Sequence, residues 1–186
     1  DPFVFNDVFY IMNVAAGSPW RTHLFKQYQD AVQRMGFSGI HMDTYGFPKT
    51  AYSHLADKPE LIHLDKEFPT LINESCDALK EVSNAPYLIF NNVGNWPVYA
   101  TAVCAQDAVY VEVWNPNDRY EHLAQILQEA RFYGGPRKPV ILAAYLKPFQ
   151  ESSLYEGAAE AAYILTAAIV SQGAYHLLVG ERNAVL

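Results

Sequence analysis

The sequence predicts an α/β protein with a parallel sheet, and three observations support this prediction. Apolar or β-branched runs alternate with amphipathic helix patterns along the chain. Helix boundaries carry capping signals, and polar side chains cluster where the predicted strands end. Strict alternation of strand and helix implies right-handed crossovers between parallel strands.

The periodicity predicts six strands and five helices. The strands are residues 8–13, 38–43, 87–91, 108–113, 140–145 and 174–179, and the helices are residues 20–35, 69–82, 95–105, 118–132 and 156–171. Ser18 and Pro19 suit the N-cap and first position of the first helix, and Gly36 suits its C′ position. The longest interruption, residues 44–67, is rich in Tyr, His, Asp and Pro, which predicts a functional loop.

Six strands fit either an open doubly wound sheet or most of a (β/α)8 TIM-type barrel. No glycine-rich phosphate fingerprint follows a strand, which disfavours a nucleotide-binding open sheet. The polar groups at the strand ends are Asn13, Asp43, Asn91, Asn92, Glu112, Tyr145, Lys147 and Glu181. A barrel gathers such ends into one mouth, whereas an open sheet spreads them along an edge about 25 Å wide. We therefore expect a barrel, formed as a single domain over residues 1–186.

Composition excludes several classes of partner. The formal net charge is −7 without a Lys/Arg run, and an acidic surface repels phosphate backbones and anionic lipids. No apolar run reaches the roughly 18 residues that span a bilayer, so we expect neither nucleic-acid nor membrane partners. Cys76 and Cys104 lie in apolar helical stretches, which predicts buried free thiols. The histidines form no two-His-plus-carboxylate pattern, so we expect no metal and no cofactor.

Two carboxylates are the strongest catalytic candidates. Asp43 ends strand 38–43 before a glycine turn, and Glu112 lies between valines in strand 108–113. Asp disfavours strands, and a buried carboxylate is costly unless it is paired or protonated. Asp43 could instead cap the next segment, and Glu112 could pair with an Arg or Lys. One predicted strand, residues 87–91, lies between the strand of Asp43 and the strand of Glu112, so the two carboxylates can share a barrel layer. Such a pair can act as the nucleophile and acid/base of glycoside cleavage.

Two segments of the chain resemble glycoside hydrolase family 66: residues 36–46 (GFSGIHMDTYG) and, about seventy residues later, residues 111–114 (VEVW). This family comprises dextranases and cycloisomaltooligosaccharide glucanotransferases. The resemblance implies Asp43 as the nucleophile after the fourth barrel strand and Glu112 as the acid/base after the sixth. It covers about strands three to eight, so we expect a piece of a longer chain whose remaining barrel and flanking domains are partners of this piece.

The resemblance implies a retaining hydrolase that cleaves α-1,6-glucan (dextran) through a covalent glycosyl-enzyme intermediate. The alternative within the family is the cycloisomaltooligosaccharide glucanotransferase, which transfers the glycosyl group intramolecularly. Weaker rivals are a non-catalytic glucan-binding barrel piece and an aldolase with Lys147 as its Schiff-base lysine. Because dextran is too large to enter a cell, the resemblance implies an extracellular enzyme, and residues 1–3 do not resemble a signal peptide.

Further residues at the predicted mouth are candidates for binding an α-glucan or isomaltooligosaccharide. They are Tyr45, Asn91, Asn92, Trp96, Trp114, Tyr145 and Glu181. Asparagines can hydrogen-bond sugar hydroxyls, and aromatic rings can stack on pyranose faces, although ordinary packing or turn chemistry is an alternative for each. His41 lies two residues before Asp43, so in a regular strand it shares the same face and could line the barrel interior.

Overall fold

The computed structural model describes residues 2–5, 7–10, 12–145 and 157–178. Its strands are β1 (Pro2–Phe5), β2 (Asp7–Tyr10), β3 (Gly39–Met42), β4 (Thr50–Ser53), β5 (Glu60–His63), β6 (Tyr87–Val93), β7 (Ala108–Val113), β8 (Val140–Ala144) and β9 (Tyr175–Leu177). Its helices are α1 (Pro19–Met35), α2 (Leu64–Lys80), α3 (Val98–Thr101), α4 (Tyr120–Gly134) and α5 (Ala158–Val170). The chain forms two compact units: Asp1–Ile40 with Phe47–Tyr87, and His41–Gly46 with Leu88–Leu186.

The first unit contains two antiparallel hairpins and the helix pair α1 and α2. The hairpin of β1 and β2 takes up residues 8–10 of the strand predicted at residues 8–13, so within the described residues this run does not join the parallel sheet. That placement was wrong because pairing with a neighbouring run closes a very short loop and costs little entropy. The hairpin of β4 and β5 orders much of the region predicted as a loop at residues 44–67.

The ends of α1 confirm the capping signals of the sequence. The Ser18 hydroxyl accepts a hydrogen bond from the Trp20 N–H at 3.1 Å, and Pro19 is the first helical residue. Gly36 follows the helix with a left-handed φ of 79°, and its N–H donates to the Ala31 carbonyl. Short-range chemistry therefore determines both ends of this helix.

Helix α2 begins at Leu64, five residues before the predicted start at Pro69. Its buried side chains are Leu64, Phe68, Leu71, Ile72, Ser75 and Leu79, a helical spacing that continues through the proline. A proline inside a helix costs about 3 kcal/mol, whereas burying each large apolar side chain contributes about 1.5–3 kcal/mol. The apolar residues of the first turns thus outweigh the proline, and the predicted boundary was wrong for that reason.

The second unit contains most of a five-stranded sheet with the order β3-β6-β7-β8-β9. The pairs β6–β7, β7–β8 and β8–β9 are parallel, with helices between successive strands. The predicted α/β class with a mostly parallel sheet is therefore confirmed. Helix α3 has only four residues of the predicted span 95–105, because the chain turns away after Thr101.

The two faces of the central strands differ in chemistry. Alternate residues of β7 and β8, with residues of α3, α4 and α5, form an apolar core: Val98, Ala102, Val109, Val111, Leu123, Ile126, Leu127, Ala130, Val140, Leu142, Ala144, Leu165, Ile169 and Ala174. The intervening residues, which include Tyr110 and Glu112, belong to the opposite face because strand side chains alternate. Within the described residues, no helix is both long and apolar enough to span a bilayer.

Candidate active site

The register of the sheet brings the predicted catalytic strands together. Residue Asn91 of β6 is paired with Tyr110 of β7, and Glu112 of β7 is paired with Ala143 of β8. Paired residues in neighbouring parallel strands lie on the same face. Asn91, Tyr110, Glu112 and Ala143 therefore share the face opposite the helices, close to the C-terminal ends of their strands.

One amide nitrogen links the two predicted catalytic carboxylates. Nδ2 of Asn91 donates a hydrogen bond to Oδ1 of Asp43 at 2.7 Å and another to Oε2 of Glu112 at 3.0 Å. Two oxygens that share one donor at these distances cannot be more than about 6 Å apart. Asn91 itself is only 3% exposed, whereas Asp43 is exposed and Glu112 is half-buried.

The segment after β3 holds Asp43 through local contacts. The Thr44 N–H donates to Oδ1 of Asp43 at 2.9 Å, and the Thr44 hydroxyl donates to the Asn91 carbonyl at 3.2 Å. Gly46 then turns the chain with a φ of +71°, where a Cβ atom would lie 2.9 Å from Cβ of Val93. A left-handed φ and this close approach both favour glycine.

Two tyrosine hydroxyls lie beside Glu112. Tyr145 hydrogen-bonds with Glu112 and with Tyr110. Burial raises the pKa of Tyr145 well above its usual range, and the charge of Glu112 raises it further. Burial likewise raises the pKa of Tyr110. Both phenols therefore stay protonated at neutral pH and can donate hydrogen bonds beside the carboxylate.

His41 lies near the same groups. Its ring is 4.5 Å from the Tyr110 ring, centroid to centroid. Desolvation by neighbouring groups lowers the pKa of His41, while the charges of Asp43 and Glu112 oppose this shift. A lowered pKa favours the neutral imidazole at pH 7, which can both donate and accept a hydrogen bond.

The alternative that the sequence left open for Glu112, an ion pair with an Arg or Lys, has little support here, whereas the contact of Asp43 with the Thr44 N–H leaves a local capping role open for Asp43. The ion pairs between described residues involve neither Asp43 nor Glu112. Within this part of the chain, Glu112 is thus held by neutral donors rather than by an Arg or Lys. The described residues also contain no cluster of three or more His, Cys, Asp or Glu side chains that could hold a metal ion.

Of the remaining predicted binding residues, the structure describes the three aromatic ones but not Glu181. Trp114 is 46% exposed and makes an edge-on contact with Tyr145, with ring centroids 5.7 Å apart, and Tyr45 is 43% exposed. Trp96 is half-buried in the loop after β6. Glu181, and the rival Schiff-base candidate Lys147, lie outside the described residues.

Asn92 occupies the opposite face of β6 from Asn91. It is 0% exposed, its Nδ2 donates to the Tyr110 carbonyl at 2.8 Å, and its Oδ1 accepts from the Thr101 hydroxyl. Because protein groups bind both the nitrogen and the oxygen of this amide, Asn92 is not part of the proposed substrate site. Asn95 similarly donates to Glu129 at 2.7 Å, which ties the β6–α3 loop to α4.

Sequence reasoning missed Tyr110 and Thr44 as members of this network. A signal for Tyr110 was available, because it precedes Glu112 by two residues in a strand and therefore lies on the same face. No comparable signal identified Thr44, since its contact is with the Asn91 backbone 47 positions away in the chain.

Comparisons with known proteins agree on one family. The sequence profile described as Glycosyl hydrolase family 66 matches residues 2–186. Two cycloisomaltooligosaccharide glucanotransferases of Niallia circulans are 28% identical over 133 residues and 29% identical over 137 residues, covering 68% and 70% of this chain. The chain spans only 13% and 14% of the length of these relatives.

A solved structure is similar over most of the chain. It is a Paenibacillus sp. cycloisomaltooligosaccharide glucanotransferase complexed with cycloisomaltoheptaose. The TM-score is 0.68 at 26% sequence identity, and the match covers 82% of this chain and 22% of the solved one. The fold and the sequence of this chain are therefore both similar to those of one segment of a larger enzyme.

Proposed function

This chain belongs to glycosyl hydrolase family 66, and on that premise we propose that it carries the catalytic carboxylates of a retaining enzyme that acts on α-1,6-glucan. Asp43 is the nucleophile and Glu112 is the acid/base. The single observation that supports this proposal most strongly is the shared hydrogen-bond donor, Nδ2 of Asn91, which lies between the two carboxylates.

The separation of the carboxylates distinguishes the two kinds of glycosidase. Retaining enzymes hold their carboxyl groups about 5–5.5 Å apart, whereas inverting enzymes need about 6.5–9.5 Å to admit a water molecule. The upper limit of about 6 Å, set by contacts of 2.7 and 3.0 Å to one nitrogen, favours retention.

The proposed reaction has two steps. In the first, a carboxylate oxygen of Asp43 attacks the anomeric carbon while Glu112 gives its proton to the departing glycosidic oxygen, which leaves a glycosyl ester on Asp43. In the second, Glu112 takes a proton from the attacking hydroxyl, whose oxygen bonds to the anomeric carbon and releases Asp43. Among the exposed rings, Trp114 and Tyr45 are suited to stack on sugar.

The source of the hydroxyl that attacks in the second step distinguishes the two candidate functions. Water gives hydrolysis, and hence a dextranase. A hydroxyl at the far end of the bound glucan gives a cyclic product, as in a cycloisomaltooligosaccharide glucanotransferase. This second candidate is supported by the names of both Niallia circulans relatives and of the solved Paenibacillus enzyme, whose bound molecule is cycloisomaltoheptaose.

The wider context is also a proposal. We propose that residues 1–186 form one incomplete (β/α)8 barrel domain, which the rest of the parent chain completes, and that Tyr145 and Glu181 add to its sugar-binding mouth. The mostly parallel sheet with its polar strand ends is consistent with such a barrel. A dextran substrate implies an extracellular enzyme, because dextran is too large to enter a cell.

The proposal is tested with the full-length parent protein. Asp43→Asn should abolish release of reducing ends from dextran and formation of cyclic products, while binding of isomaltooligosaccharide persists. Asp77→Asn is the matched control, because Asp77 is an exposed carboxylate on α2 and should be dispensable. Unchanged turnover in Asp43→Asn would refute its role as nucleophile.

Product analysis tests the mechanism and the choice between the two functions. Proton NMR of the first-formed product should show the α-anomer for a retaining enzyme, and the β-anomer would contradict retention. Mass spectrometry distinguishes linear products from cyclic products, which lack one water.

A further inference from the structure

We propose that Asn91 is a positioning residue, whose amide sets the distance and orientation of Asp43 and Glu112, and that it does not bind sugar. This inference rests on the proposed function of the two carboxylates. It changes the role expected from the sequence, where Asn91 was a candidate for hydrogen bonding to sugar hydroxyls.

The geometry of one amide group supports this role. Nδ2 carries two hydrogens in a plane, and each serves one carboxylate, at 2.7 Å to Asp43 and 3.0 Å to Glu112. Because these N–H bonds diverge by about 120°, the two acceptor oxygens are held about 5 Å apart. This is close to the separation of about 5–5.5 Å that a retaining mechanism needs.

The orientation of the amide follows from its neighbours. A flipped amide would turn Oδ1, which only accepts hydrogen bonds, toward two carboxylates, so the arrangement with nitrogen between them is strongly favoured. Oδ1 of Asn91 is buried and has no hydrogen-bond partner among the described residues. The side chain is 3% exposed, which leaves little surface for a sugar ring.

Asn91 also joins three strands. It belongs to β6, which lies between β3 and β7 in the sheet, and its side chain contacts a carboxylate that follows β3 and one on β7. Its carbonyl accepts the Thr44 hydroxyl at 3.2 Å, so the segment carrying Asp43 is attached to Asn91 twice. A rigid central strand can therefore hold the reacting groups within the narrow tolerance that catalysis needs.

The contact between Asn91 and Glu112 also affects which oxygen of Glu112 carries the proton. A carboxylic acid accepts hydrogen bonds best at its carbonyl oxygen, and Nδ2 donates to Oε2. In the acid form, this contact favours the proton on the other oxygen, Oε1. Asn91 adds no charge while it orders the two carboxyl groups, whereas a lysine in its place would bias both toward the ionised form.

The experiment uses the full-length parent protein and two substrates, an isomaltooligosaccharide and an aryl α-isomaltoside whose phenolate leaves without protonation. Asn91→Leu keeps the approximate volume and removes both donors. We expect kcat on the isomaltooligosaccharide to fall about 10–1,000-fold with little change in KM. We expect kcat/KM on the aryl glycoside, which reports the first step alone, to fall less, because that step still needs Asp43 in position but needs no proton from Glu112. A raised KM with equal losses on both substrates would instead identify Asn91 as a sugar ligand and overturn the proposal.

Asn91→Asp gives a second test that does not depend on tolerance of an apolar group. The new carboxyl can donate a hydrogen bond only when protonated, so activity should recover as the pH falls, with a pH profile displaced to the acid side of that of wild type. An unchanged pH profile in an active, folded variant would overturn the positioning role.

Asn92→Leu and Asn92→Asp are the matched controls, because they remove an equally buried amide one residue away on the other face of β6. They should lower the thermal unfolding temperature without changing the leaving-group dependence or the shape of the pH profile. Asp43→Asn is assayed in parallel. If Asp43→Asn retains turnover, the proposed function fails; if it is inactive while Asn91→Leu resembles wild type on both substrates, only the positioning role fails.

Discussion

The two faces of strands β6, β7 and β8 are made from alternate residues of the same short segments, yet they differ in chemistry. One face is apolar and packs Val109, Val111 and Leu142 against α3, α4 and α5. The other carries Asn91 and Glu112, with Tyr110 and Tyr145 beside them. Because strand side chains alternate, a shift of one residue in register would exchange the two faces.

The comparison shows how stability and chemistry are separated in this unit. The apolar face gains free energy from burial, which does not depend on the ionisation of its side chains. The polar face holds its carboxylates through neutral amide and hydroxyl donors, an arrangement that depends on distances of a few tenths of an ångström. Substitutions on the first face should therefore affect folding, and substitutions on the second should affect activity.

The largest effect on stability is expected from Leu127→Ala. Leu127 is 0% exposed in the core between α4 and the sheet, so the substitution should lower the free energy of unfolding by about 2–5 kcal/mol. Chemical denaturation of the parent protein measures this loss. The pH profile of the remaining folded enzyme should match wild type, and a displaced profile would show that the two faces are coupled.

A smaller effect on stability is expected from Gly46→Ala, which acts on the turn after Asp43. A φ of +71° and a Cβ only 2.9 Å from Cβ of Val93 should cost about 1–3 kcal/mol of strain. Because this turn follows Asp43, kcat should also fall. Gly17→Ala is the control, since Gly17 has a similar φ of +77° but open space around its Cβ position. Equal kcat losses in both variants would contradict a specific role for the turn.

The smallest effect on stability is expected from Tyr145→Phe, in the dependence of stability on alkaline pH. The pKa of Tyr145 lies well above that of an unfolded tyrosine, about 10. The stabilisation from this difference is complete below about pH 10 and is lost as the pH rises through the folded pKa, because the unfolded state releases its proton first. Thermal unfolding at a series of pH values should show a flatter alkaline decline for Tyr145→Phe than for the exposed-site control Tyr175→Phe.

Local patterns predicted much of the fold. The caps of α1 follow from Ser18, Pro19 and Gly36, whose effects act within a single turn of helix. The start of α2 was missed because Pro69 is a strong local signal, which burial of Leu64 and Phe68 overrides. The pairing of β1 with β2 was missed because alternation of strand and helix does not reveal which strands pair.

The candidate site was likewise predicted only in part from the sequence. Asp43 and Glu112 were identified from their positions at strand ends and from the family resemblance. The role of Asn91 could not be predicted, because it depends on two contacts with residues 48 and 21 positions away in the chain. Asn91 and Asn92 are identical in sequence terms, and only the register of β6 against β7 gives them opposite surroundings.

By itself, the sequence determined the α/β class, most of the strands and helices, the family and the two candidate catalytic carboxylates. These depend on periodicity, capping and short motifs, all of which act over a few residues. The tertiary structure decided which strands pair, which asparagine faces the carboxylates, and that Nδ2 of Asn91 donates to both. The physical reason is that a hydrogen bond depends on distances in space, and distant segments acquire those distances only when the sheet forms.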